Sequence, residues 1–276
     1  MYKLVSDSSC DLLQMEGVAF ASVPLTISTD ERTYIDDEHI DAKEMMDYLA
    51  GYRGRSYTAC PSIESWMKAY EGADEVYVTC LTSGLSGTYN SAMNARELFL
   101  QDHPDVKIAV FDTLTAGPQL PLILQKIKDL KEEGKTFEEV CEMIQAYMPK
   151  TRLLFAFQSL HNFAQNGRVS KVVAAATGML GIRIIGTASS EGTIEVISKA
   201  RGDKKAAAAL LNELENMKFN GNRINICHAD NEKAALALKE KVLAKYPNAS
   251  VRMIESRGIC SYYGEQGAVF FGFEVE

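Results

Sequence analysis

Apolar runs of strand length alternate with longer stretches of helical period along the chain. That alternation is the pattern of βαβ units around a largely parallel sheet, and it places the protein in the α/β class. Lys3 to Val5, Val18 to Ile27, Glu75 to Leu81 and Val106 to Phe111 read as the strands of the first half, the last two apolar enough for burial on both faces. Leu120, Ile123, Leu124, Ile127 and Leu130 form an i, i+3, i+4, i+7 stripe, so a helix is expected from Leu120 to Glu133, stopped by Gly134. Thr136 and Glu139 then have capping-box spacing, which predicts a second helix running to about Met148 before Pro149 closes it.

A new alternation begins after Pro149-Lys150-Thr151, so the domain boundary is expected there, dividing the chain into residues 1–150 and 151–276. The second half reads as a strand from Arg152 to Phe157, short helices through Gly178, and a hairpin of Ile182–Ala188 with Thr193–Lys199 across the Ser189–Gly192 turn. A helix from Lys204 to Met217, a strand from Arg223 to Cys227, a helix from Asn231 to Tyr246 and strands Ser250–Glu255 and Ala268–Val275 complete it. The expected architecture is two α/β domains: a largely parallel sheet flanked by helices, then a mixed sheet with helices. No internal repeat is visible.

Composition narrows the function. With 276 residues, 46% of them hydrophobic and 24% charged, the chain matches a folded globular protein. Its 37 acidic residues outnumber 29 basic ones, and Asp30 to Asp47 is especially acidic, so polyanions are repelled and nucleic-acid binding is excluded as the main activity. The start, Met1 to Asp7, lacks the basic and apolar regions of a secretory signal, and no window reaches the roughly 18 apolar residues of a membrane span. Six cysteines without a CxxC pair read as reduced thiols, so a cytoplasmic protein with at most transient membrane contact is expected. Four histidines without HxH or HExxH spacing predict no metal, and no cofactor is implied.

The glycine-rich turns decide between chemistries. Gly134-Lys135-Thr136 fails as a phosphate loop, because Asp129 stands where that loop needs glycine. Ser83-Gly84-Leu85-Ser86-Gly87 misses the nucleophile elbow by one residue. What that segment offers is a strand running into a turn that carries Thr82, Ser83, Ser86 and Thr88 and then a helix, an arrangement that holds anions; ordinary N-capping by Ser86 is the plainer reading. Ser6-Asp7-Ser8-Ser9 and Thr58-Ala59-Cys60-Pro61-Ser62 are similar turns, with Asp7 either orienting hydroxyls or closing an Asx turn. Asp230 is placed to cap the helix after His228-Ala229, and Arg168 lies on a turn before a helix capped by Ser170, as a solvated charge or an anion contact.

Together these turns resemble the DegV family of bacterial fatty-acid-binding proteins. The likeness is carried by Ser6 to Ser9, Val23-Pro24-Leu25, Tyr34 with Asp36, Thr58 to Ser62, Thr82 to Tyr89, Gly167-Arg168-Val169-Ser170 and His228-Ala229-Asp230. It implies an acyl chain buried between or within the two domains, its carboxylate held near Thr58 and Ser83 or Ser86, and a fatty acid kinase partner that makes acyl phosphate. Asp7, Arg168, His228 and Tyr262 are further ligand or partner candidates, and residues from Val172 to Ile185 are candidates for the apolar wall. In the family's C-terminal Gly-x-His-x-Gly-Pro-Gly motif this chain has Cys260 at the histidine and Tyr262-Tyr263 at Gly-Pro, so either Ser261, Tyr262 or Tyr263 replaces the imidazole or the head group is held differently. Thr58-Ala59-Cys60 replaces the usual Thr-Ser-Gln.

Three readings follow. The first is a non-catalytic carrier of a long-chain fatty acid. The second is an enzyme acting on a small anion through Asp7, Ser86 and His228, and the third is an interaction protein using the acidic segment.

Overall fold

Successive residues of β1 (Tyr2–Asp7) enter different cores: Leu4 packs with one set of helices and Val5 with another. The same alternation divides β6 (Glu75–Cys80), where Tyr77 faces one way and Val76 and Val78 the other. With β2 (Ala19–Val23) and β7 (Lys107–Asp112) these strands make a four-stranded, all-parallel sheet in the order β2-β1-β6-β7. Burial on both faces explains the continuous apolar runs.

Helices α2 (Ile63–Tyr70) and α3 (Thr88–Asp102) cover one face, bringing Trp66, Tyr70, Ala92 and Phe99 onto Val5 and Val78. Helices α4 (Gln119–Glu132) and α5 (Phe137–Tyr147) cover the other with the anticipated Leu120 to Leu130 stripe. Gly134 stops α4 at φ 78°, and Thr136 and Glu139 form the expected capping box.

This computed structural model describes residues 1–170 and 181–276. The helices expected through Gly178 fall largely outside the described residues, as does most of the wall sought from Val172 onward. The second domain is a mixed sheet ordered β10-β9-β8-β13-β11-β12, with only the β11–β12 pair parallel. Its strands are β8 (Thr151–Phe157), β9 (Ile182–Ala188), β10 (Ile194–Arg201), β11 (Phe219–His228), β12 (Ser250–Glu255) and β13 (Val269–Val275). The β9–β10 hairpin is the one expected. Helices α7 (Asp203–Asn216) and α8 (Glu232–Lys245) pack Leu210, Leu214 and Leu238 against Leu154, Phe271 and Phe273 on one face; α6 is the short His161–Gln165 helix. Among the described residues no helix is long and apolar enough to cross a membrane.

Two expectations are corrected, and elements that the sequence did not suggest appear beside them. Val18 to Ile27 is not one strand: Pro24, which has no N–H to donate, ends β2, and the chain turns into β3 (Thr26–Ser28). There β3 pairs with β4 (Thr33–Ile35) and β5 (Tyr57–Ala59) in a small antiparallel sheet whose strands are too short for periodicity to reveal. Gly258–Gly264 forms an unanticipated helix, α9, whose Gly258 and Ile259 N–H groups donate to the Asp36 carboxylate at 2.8 and 2.9 Å. Asp230 does not cap α8: Asn231 holds that position, while Asp230 adopts φ 46° and accepts from Lys43 and Gln266.

The start of α4 docks onto the mixed sheet. Asn225 Nδ2 donates to the Pro118 carbonyl at 2.9 Å, and Gly272 lies so close that a Cβ there would sit 2.4 Å from Pro118 O. Gly272→Ala must push backbone from backbone. It is expected to cost about 1–3 kcal/mol in urea unfolding, the range for overpacking; an unchanged midpoint would show that this contact yields freely.

Candidate functional site

The second face of the mixed sheet, opposite α7 and α8, is apolar and turned toward the first domain. Leu153, Phe155, Phe157, Ile184 and Phe270 meet Leu25, Ile27, Met45, Leu81 and Ile259 there in a shared core. The packing is incomplete and leaves a cavity of about 780 Å³ of empty space, its open mouth included.

One wall is aromatic. Phe155 and Phe157, two apart on β8, point the same way and stack at 4.1 Å between ring centroids; Phe270 meets Phe157 edge-on at 5.0 Å, and Phe163 of α6 lies 6.1 Å from Phe157. Tyr263 continues the run, 4.6 Å from Phe163. The Phe155 ring has room because Gly186 lies beneath it, where a Cβ would meet Cζ at 2.4 Å.

Polar groups gather beside Tyr263. Its hydroxyl is 2.7 Å from Thr58 Oγ1, so one hydroxyl hydrogen of the pair bonds the other oxygen and one remains to donate. Ser86 Oγ lies 2.8 Å from Thr88 Oγ1 and accepts from the Thr88 N–H, which leaves the same surplus. Cys60 lies close to Gly87, which brings the two pairs to one end of the cavity. Arg168, half-buried, donates from Nε to Leu85 O and from Nη1 to Asn166 O, two of its five N–H groups. The α3 N-terminus adds its dipole and N–H groups; Gly87, not Ser86, is its N-cap. This end supplies donors and one guanidinium, the complement of a carboxylate.

Thr58, Ser86, Arg168 and Cys260 therefore all line the cavity. Cys260 donates its thiol hydrogen to Ser9 O at 3.3 Å, and burial pushes the thiol well above its ordinary value, so it is a protonated, compact wall residue. Ser83 is exposed outside the lining, its N–H bound to Asp112 Oδ1 at 3.0 Å. Tyr262 turns away: its hydroxyl is 2.7 Å from Ser56 Oγ and accepts from Asn166. Tyr263, the next residue on α9, faces the cavity instead, and Ser261 pairs with Ser256 at 2.7 Å. His228 is buried at the end of β11, where its Nδ1 accepts from Asn231 N, and it does not reach the cavity. The lining also includes Ser9, from the Ser6–Ser9 turn that the sequence marked, and the hydroxyls of Thr115 and Thr193, which no motif singled out.

Asp7 is wholly buried and accepts from Ser9 Oγ at 2.5 Å and from Leu81 N at 2.6 Å, the Asx-turn role. None of its bonds reaches Ser86 or His228, so the three residues of the enzymatic reading do not form a linked set. Asp11 accepts from Arg257 N and from the Cys227 thiol, tying the first domain to the second. Burial raises Asp7 to about 6 and Asp11 to about 7, against hydrogen bonds that pull them down, and it raises Asp36 as well.

Fold and cavity define a two-domain α/β protein with a partly open space at the domain junction, apolar along its walls and polar at one end. The chain belongs to the DegV family: the model described as uncharacterised protein, DegV family, matches residues 1–274. A DegV domain-containing protein of Streptococcus pneumoniae is 39% identical over 100% of this chain and 99% of its own length. A DegV family protein from Eubacterium eligens, solved loaded with heptadecanoic acid, is 46% identical with a TM-score of 0.98, covering 100% of both chains. The Streptococcus pneumoniae Fatty Acid Kinase (Fak) B3 protein, solved loaded with linoleic acid, is 38% identical with a TM-score of 0.97 over 100% of both.

The buried carboxylates fix a pH dependence. Their folded-state values stand above the unfolded ones, so the stability they contribute is complete below the unfolded value of 3.8 and is lost as pH rises through about 6 to 7. Asp11→Asn is expected to flatten the fall in melting temperature between pH 5 and pH 8; an unaltered slope would assign that fall to other groups.

Proposed function

We propose that this protein binds a long-chain fatty acid in the cavity between its domains and presents the carboxylate to a fatty acid kinase for acyl phosphate formation. It acts in the cytoplasm as a carrier without a catalytic step of its own. The observation that carries the reading is the cavity's asymmetry, aromatic and aliphatic along its walls and donor-rich at one end, in a chain that superposes on relatives solved with heptadecanoic and linoleic acids. The kinase partner is supported by the name of the Streptococcus pneumoniae relative.

The physics divides between head and tail. Each buried methylene contributes about 0.8 kcal/mol, so a long chain gains on the order of 10 kcal/mol before ordering costs. The carboxylate's charge-assisted hydrogen bonds contribute about 1.5–3 kcal/mol each and set the orientation. Thr58 with Tyr263, Ser86 with Thr88, and the Arg168 guanidinium are the groups assigned to it. Cys260 shapes the wall, and its neighbour Tyr263 takes over the donor role that the family's histidine has.

Organic extraction followed by mass spectrometry should yield about one fatty acid per chain. Thr58→Ala and Ser86→Ala should each weaken palmitate or oleate binding by roughly tenfold to a hundredfold, the equivalent of one charge-assisted hydrogen bond. A protein that carries no lipid and takes up neither acid would sink the reading. Lipid binding without acyl phosphate on addition of purified fatty acid kinase and ATP would leave the carrier and remove the kinase partner.

A further inference from the structure

Two glycines face each other where the β9–β10 turn crosses onto the first domain. A Cβ at Gly84 would lie 2.5 Å from Glu191 O and 3.3 Å from the Gly192 carbonyl carbon. A Cβ at Gly192 would lie 2.0 Å from Thr82 Oγ1 and 3.0 Å from Leu114 Cα. Gly84 therefore abuts the backbone of the opposing turn, and Gly192 packs directly on the Thr82 side chain and the Leu114 backbone, with no room at either glycine for a side chain of its own.

The contact is tight but unbonded. Among the described residues, the hydrogen bonds of the 189–193 turn are internal: Ser189 N donates to Thr193 O, Gly192 N to Ser189 O, and Ser189 Oγ accepts from the Glu191 and Thr193 N–H groups. On the other side, Gly84 N donates to Thr82 Oγ1, and Ser83 N and Leu114 N donate to Asp112 Oδ1. Among the described residues each turn satisfies its own polar groups, and parting the two breaks no hydrogen bond between them. Elsewhere the domains are held by bonds that would have to break, as between Asp11 and Arg257 N or between Asn225 and Pro118. The seam also covers the cavity: Ala188, Gly192 and Ile194 line it from the hairpin, and Thr82, Leu85 and Ala116 from the first domain.

We propose that the β9–β10 turn is a flap, and that the seam between Gly192 and the Thr82–Gly84 turn is where the cavity opens for the acyl chain to enter and leave. The assignment rests on the fatty-acid reading of the cavity. Closed, the seam keeps water from the tail; opened, it exposes the apolar wall along its length, so the chain slides in sideways and its head group settles at the Thr58–Ser86 end.

The test uses the full chain and parinaric acid, whose polyene fluoresces when bound, chased with excess oleate. Gly84 does not have a left-handed backbone, so Gly84→Ala adds a methyl that presses chiefly on the opposing turn, at 2.5 Å from Glu191 O, with Thr82 Oγ1 of its own turn at 3.2 Å. Ser189→Ala loosens the flap from its own side by removing the hydroxyl that organises it. Gly72→Ala is the control, since Gly72 has φ +80° with nothing near its Cβ. Release at least tenfold faster in Gly84→Ala and Ser189→Ala, with one ligand per chain and an unaltered Gly72→Ala, is the expected result. Rates within twofold of the parent protein in both variants, with ligand still bound, would overturn the flap. If Gly84→Ala fails to fold, Ser189→Ala alone decides. A parent protein that binds no parinaric acid would instead overturn the fatty-acid reading itself, and the flap with it.

Discussion

A six-stranded sheet has two faces, and in this protein only one of them is sealed by long helices. Leu210, Leu214 and Leu238 of α7 and α8 close the face that carries Leu154, Phe271 and Phe273. The opposite face, with Phe155, Phe157 and Phe270, is covered by the first domain. That domain offers turns and a short helix there, Ser8–Cys10, Thr82–Thr88 and Thr113–Gly117, and the short α9 of the second domain lies beside them. Irregular backbone does not interdigitate with a flat row of aromatic side chains as a ridged helix does. The space left over is the cavity, which needs no special device beyond an apolar sheet face meeting turns.

The same constraint explains where the polar groups sit. Buried turns carry backbone N–H and C=O groups that must be paired. Asp7, Asp11 and Asp36 do this, each accepting from backbone N–H groups of a neighbouring segment, and two of the three join the first domain to α9 or its approach. Carboxylates in such dry surroundings are costly to ionise, which is why burial outweighs their hydrogen bonds in setting their proton affinity. They are the organisers of the cavity's base and stay behind its lining, whereas the hydroxyls of Thr58, Ser86 and Tyr263 stand at its surface.

Much of the architecture was legible because it rests on periodicity. The α4 stripe, the β9–β10 hairpin and the doubly buried β6 and β7 express patterns carried over six or more residues, and the α5 capping box is a fixed local spacing from Thr136 to Glu139. The three-residue strands β3, β4 and β5 span too few positions to show alternation. Helix α9 has glycine at both ends and aromatics within, poor helix formers held by Asp36 from a distant part of the chain. The site was legible by residue type and not by direction. Ser83 and Ser86 are equal in sequence, yet only the turn geometry puts Ser86 on the cavity. Tyr262 and Tyr263 are neighbours, and helical phase sends one to Ser56 and the other to Thr58.

That phase carries the last step of the argument about Cys260. Residues 260 and 263 are three apart on α9, so their side chains fall on one helical face, and both line the cavity. Cysteine at the first position is small and nearly apolar, with its hydrogen already given to Ser9. A tyrosine at the second brings a hydroxyl to Thr58 from one turn farther along. A hydroxyl donor thus stands on the same helix face within the cavity, and it keeps its proton near neutral pH, since burial raises Tyr263 above its ordinary value. The hydroxyls at the cavity surface, those of Thr58, Ser86 and Tyr263, therefore hold their protons near neutral pH, while Asp7 and Asp11, raised by burial to about 6 and about 7, stand behind the wall.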